Sequence, residues 1–148
     1  MRFIKHYGQL VCYIEVLQMF NHTVTIYNKY VDNATRSYGY KKTVLKGVHW
    51  ESGEGVKLGS KSVTTSDDTF LIIPFSIKDF DSYVKPNLFT NEGDLWTLQT
   101  EDIVVKGELD LHIKSIADLK GYEVGTVKKI HTVDYAFSCL NNWTLELS

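Results

Sequence analysis

The chain has 148 residues, 43% hydrophobic and 23% charged, with a formal net charge of −2. That length supports one domain with a sizeable core, and that composition excludes a globally disordered chain. The near-neutral charge also excludes the basic signature of an autonomous nucleic-acid binder. Aromatic residues make up 13%, including nine tyrosines, which suits both β-strands and protein–protein contacts. Cys12 and Cys139 stand far apart with no CxxC or Cys/His spacing. They read as two buried reduced thiols, which points to a reducing, cytosolic site of synthesis.

Residues 1–20 place Phe3, Tyr7, Leu10, Ile14 and Leu17 at three/four spacing, the mark of an amphipathic helix. Lys5, His6, Glu15 and Gln18 interrupt the apolar character, so the segment cannot span a membrane, and it lacks a signal-peptide pattern. It reads as an N-terminal helical extension. Gly8 and the β-branched content leave a strand as the alternative, and Met19 is an alternative natural start.

From residue 22 the period becomes two. Residues 22–28 alternate polar and apolar, with Val24 and Ile26 on one face, and residues 31–37 form a turn cluster. Residues 38–50 form a second strand in which Gly47 marks a bulge. Residues 51–68, ESGEGVKLGSKSVTTSDD, hold three glycines and mixed charges, with only Val56, Leu58 and Val63 to bury. They read as a long polar arm, an inter-strand loop of a length that is functional or disordered when it occurs inside a compact domain. A plain surface insertion and a segment that orders against a neighbour weigh evenly.

Residues 69–75 are a buried strand ending at Pro74, and residues 78–94 are irregular. Short strands follow at 96–99 and 102–109. Ser115 and Asp118 have the spacing that opens a helix over 115–120, with Gly121 as its stop. Residues 123–135 and 143–147 supply the last strands. The expectation is a mainly β chain: a small antiparallel β-barrel or sandwich over 21–148, with one short helix and the arm at 51–68.

A search for chemistry assigns no residue. His6, His22, His49, His112 and His131 form no HxxH, HxxxH or HExxH pair. Asp67/Asp68, Asp79/Asp81 and Glu101/Asp102 lie at strand ends and turns, where Asp serves local hydrogen bonding. The glycines and Lys61 of the arm miss the phosphate-loop spacing, and no helix follows them. Cys139 follows Ser138 outside any GxSxG frame and has no activating neighbour. No catalytic, cofactor or metal residue is expected, and the chain does not read as an enzyme.

The string TIYNKY (25–30), TVLKGVHW (43–50), LIIP (71–74), WTL (96–98), DIVVKGE (102–108) and the late Trp143 resembles small neck proteins of tailed phages and prophages of Gram-positive bacteria. Those proteins are head-completion (stopper) or other head–tail connector subunits. The resemblance covers about residues 22–148 and leaves the N-terminal segment unmatched. It implies a homo-oligomeric ring, often a hexamer, between the portal-bound adaptor and the tail. The location it implies is the virion neck, assembled in the host cytoplasm, with no membrane partner. It also implies that a long inter-strand loop points into the channel and helps hold DNA without sequence preference, making Lys57 and Lys61 channel-loop candidates. Tyr27, Tyr30, Tyr38 and Tyr40 are the subunit-interface candidates. A tail-terminator or minor tail protein shares the same small-ring logic. From another class, a β-barrel module for peptide or carbohydrate requires Trp50, Trp96 and Trp143 grouped in an exposed cleft.

Overall fold

A computed structural model describes residues 20–58, 63–134 and 140–148, with side chains at 54–58 and 63–67 left aside. The N-terminal helix, Lys61 and both cysteines of the sequence reading lie outside the described residues. Six strands, β1 (His22–Asp32), β2 (Ser37–Leu58), β3 (Val63–Pro74), β4 (Ile103–Lys106), β5 (Val124–Val133) and β6 (Asn142–Leu147), form a closed barrel in the order β1-β2-β3-β6-β5-β4. Every neighbouring pair is antiparallel. The mainly β, barrel-like expectation holds.

Period-two patterning explains the closure. In β6, Trp143, Leu145 and Leu147 are buried, while Asn142, Thr144 and Glu146 are half-exposed. Val24, Ile26, Leu45, Val48, Leu71, Ile73, Val104 and Val127 join them in the interior. Side chains fill a barrel of so few strands, so it is a packed block and has no lumen. The register places the bulge at Gly47: His22 faces Val48 and Thr23 faces Lys46, which leaves Gly47 (φ +82°) as the extra residue.

A second apolar layer lies outside the barrel. Segment 109–119 folds over β1 and β4 and buries Tyr27, Ile103, Val105, Ile113 and Leu119 together. Its short helix is a 3-10 turn, Ile116–Leu119, and the Asp118 carboxylate accepts the Ser115 N–H at 3.3 Å as the Ser-x-x-Asp spacing predicts.

Residues 75–99 close one end of the barrel. Phe75, Phe80 and Tyr83 pack on Trp143, and Trp96 enters beside them. The expected strand at 96–99 is therefore a plug that buries Trp96 and Leu98 and is tied to Tyr83 by one parallel bridge. Trp96 and Leu98 are apolar because they fill the barrel mouth, an alternation that sequence period alone does not distinguish from a short strand.

The largest departure is the arm. Residues 51–58 and 63–68 are not a loop but a continuation of the β2–β3 ladder, paired from Glu51↔Phe70 out to Leu58↔Val63. β2 thus runs for 22 residues, about 70 Å at the usual rise per residue.

Close packing makes one test local to the β5–β6 contact. A Cβ at Gly125 would lie 2.7 Å from Leu147 Cβ, which belongs to a neighbouring strand and has no free end to swing away. Gly125→Ala is expected to cost about 1–3 kcal/mol through overpacking, read as a lower urea midpoint with an unchanged slope.

Candidate interaction surface

β2 outruns its neighbours at both ends. At one end the β1–β2 hairpin passes Ile103, the first residue of β4, which faces Tyr27. At the other end the β2–β3 ribbon passes the last residues of both flanking strands. β1 starts at His22 opposite Val48, and β6 ends at Leu147 opposite Thr69. From Gly53↔Asp68 outward, no described strand runs along either side of the ribbon. Two-stranded ribbons are marginal alone in water, and an uncovered strand edge is a template for another chain.

The arm residues suit backbone-led recognition. The paired backbone of 53–58 and 63–68 offers a partner main-chain hydrogen bonds along its edges. Lys57 pairs with Thr64 within this ribbon.

The four tyrosines predicted at an interface divide. Tyr27 is fully buried, and its hydroxyl donates to the Leu111 carbonyl at 2.7 Å. It therefore holds segment 109–119 to the barrel and is no subunit-interface residue. The alternation of residues 22–28 does not reveal that segment 109–119 covers the face of β1 that carries Tyr27. Burial also raises the pKa of its phenol. Tyr40 is half-buried against the same cluster. Tyr30 lies across Gly39, where a Cβ would meet its ring at 2.5 Å. Tyr38 is 65% exposed, with the Lys29 ammonium 4.2 Å from its ring centroid. Tyr30, Tyr38, Lys29 and Glu101 line a groove of about 520 Å³ with Phe89 and Gln99. Val31, more than half exposed, lines it too, and Leu88 is likewise more than half exposed.

Beneath this groove lies a polar node. Asp102, fully buried, accepts hydrogen bonds from Asn28 Nδ2 (2.8 Å), the Lys29 N–H (2.9 Å) and the Gln99 N–H (3.0 Å). Asn28 also donates to the Thr97 carbonyl and accepts the Thr97 N–H. The node stitches β1 to the plug just before β4 begins. Burial pushes the Asp102 carboxyl up to about 6, against the three donors, which favour its charged form. The sequence did contain a sign of this, because Asn28 continues the inward series of Val24 and Ile26 and so needs a buried polar partner.

Trp50, Trp96 and Trp143 are all buried. They form no exposed cleft of the kind a carbohydrate-binding module would present. Among the described residues no group of three His, Cys, Asp or Glu side chains could hold a metal ion, and no helix is long and apolar enough to cross a membrane.

No curated protein and no solved structure matches the chain. A family model, DUF6751, described as a family of unknown function, matches residues 19–147 and so spans every strand of the barrel. The chain belongs to the DUF6751 family.

Proposed function

We propose that this chain is a structural subunit of a phage head–tail connector, forming a homo-oligomeric ring between the portal-bound adaptor and the tail. The observation that carries the reading is the β2–β3 ribbon, which leaves the barrel with both sides uncovered by any described strand. In a ring built from head-to-tail contacts, one edge of each arm meets the opposite edge of the next. Arms that project in the same direction bring β3 of one subunit antiparallel to β2 of its neighbour, which continues the ladder without new side-chain chemistry. The barrel itself is filled, so the channel of such a ring runs between subunits, lined by arms. The neck-protein resemblance makes Lys57 and Lys61 the candidates for facing packaged DNA, and a six-fold ring is the stoichiometry it supplies. Tyr38, Val31 and Leu88 offer a second, apolar contact at the far end of β2 for a neighbour or for the adaptor.

The test removes residues 54–67 and joins the strands with a two-residue turn. The barrel is expected to keep its stability to within about 0.5 kcal/mol, as for other changes away from a core. Ring assembly on the adaptor is expected to be lost, and particles should leak DNA. Rings and particle yield that survive the deletion overturn the reading. Labelled chain located at the tail tip or on the capsid surface also overturns it, and a label at the tail's upper end favours the tail-terminator variant.

A further inference from the structure

The arm leaves the barrel at a histidine pair. β1 starts at His22, so the Trp50 N–H, two residues past Val48 on β2, has no strand residue opposite it. It donates instead to His22 Nδ1 at 3.0 Å. A side chain thus stands in for the missing residue of β1. An imidazole nitrogen accepts only when unprotonated, so His22 in this arrangement is neutral and carries its proton on Nε2.

We propose that His22 is an acid-released latch at the root of the arm: neutral, it holds the Trp50 amide where β2 leaves the barrel, and protonated, it lets that amide go. The groups that face it come from three sides. His49 on β2 lies 5.5 Å away, ring to ring at 30°, with Nε2 3.6 Å from Glu51. Its Nδ1 is buried with no hydrogen-bond partner among the described residues, which leaves this corner one bond short already. Lys106 on β4 pairs with Glu123 at 3.6 Å, and Glu123 also accepts the Trp50 indole N–H at 3.0 Å. Burial, then Lys106 and His49, lower the pKa of His22 below the ordinary 6.5, and only Glu123 works the other way. The folded state therefore prefers neutral His22. Its contribution is complete above the ordinary histidine range and is lost as pH falls through that range and below.

Release loosens the first residues of the arm while the rest of the barrel ladder stays intact, so acid changes how the arm is aimed. The latch is a property of the single chain and stands or falls independently of ring assembly. Imidazole nitrogen NMR and amide exchange on the full chain, from about pH 7.5 to 4.5, test it across the histidine titration range. His22 Nδ1 should read as an unprotonated acceptor at neutral pH. Trp50 amide protection, corrected for intrinsic exchange, should drop about tenfold as His22 charges, the loss of one hydrogen bond. His22→Gln, which offers an oxygen that does not titrate, should flatten that pH dependence. Protection at Trp50 that stays constant through the His22 titration overturns the proposal, as does a protonated Nδ1 at neutral pH.

Discussion

Trp143→Ala is expected to destabilise the barrel by about 3–5 kcal/mol, the range for removing a buried aromatic and leaving a cavity. Trp143 is 5% exposed at the start of β6, with ring centroids of Phe75 and Tyr83 at 4.4 Å. Trp96 meets it edge-on at 5.8 Å. No single neighbour can refill that space, because each already packs on another member: Phe75 on Phe80, and Tyr83 on Trp96. Domains of this size hold about 5–15 kcal/mol in all, so the variant should lose a large share of its margin. Denaturant unfolding followed by circular dichroism measures it. Tyr122→Ala, at a residue that is half exposed, is the control and should shift stability by less than about 0.5 kcal/mol. A Trp143→Ala midpoint equal to that of the control would show that the plug does not hold this end of the barrel.

The second large effect concerns Asp102. Burial pushes its carboxyl up to about 6 from an ordinary 3.8, outweighing the hydrogen bonds from Asn28, Lys29 and Gln99, which pull it down. A carboxyl with a raised folded pKa opposes folding when charged. Its penalty is absent below the ordinary pKa, grows as pH rises through the interval to about 6, and is constant above it. The size is about 3 kcal/mol, two pKa units at about 1.4 kcal/mol each. The signature is a difference: the stability of the native chain relative to Asp102→Asn should fall by that order between pH 4 and 7. Asp102→Ala should cost at least about 3 kcal/mol at neutral pH, since it leaves the Asn28, Lys29 and Gln99 donors without their acceptor. Matching pH profiles for the native and Asn chains would mean that Asp102 is solvated and the node open.

These two sites differ in how well the sequence foretold them. Strands with one covered face were legible, because HTVTIYN and WTLEL each repeat apolar residues at period two, and Gly47 marked its own bulge. The Ser115/Asp118 turn was legible because its hydrogen bond spans three residues. The arm was not. Its sequence is rich in Gly, Ser, Thr and charged residues, with only Val56, Leu58 and Val63 among them, so it reads as a loop, while its pairing follows the register passed outward from Trp50↔Leu71. Tyr27 was misplaced for the opposite reason: the outer face of β1 looks like a wet face until Ile113 and Leu119 fold onto it from far along the chain. The Asp102 node joins residues 69 to 74 apart in sequence, a separation no local pattern reports.

Such non-local pairing makes the arm central to the functional account. A ribbon with no described strand along either side has, on each of its own strands, amides that face its partner and amides that face outward. Backbone-resolved hydrogen exchange of residues 51–58 and 63–68, in the free chain and in the assembled particle, separates the two sets. The ring account predicts that inward amides are protected in both states, whereas outward amides exchange freely in the free chain and become protected on assembly. Outward amides that remain unprotected in an intact assembly would contradict it, because the arms would then project without meeting one another.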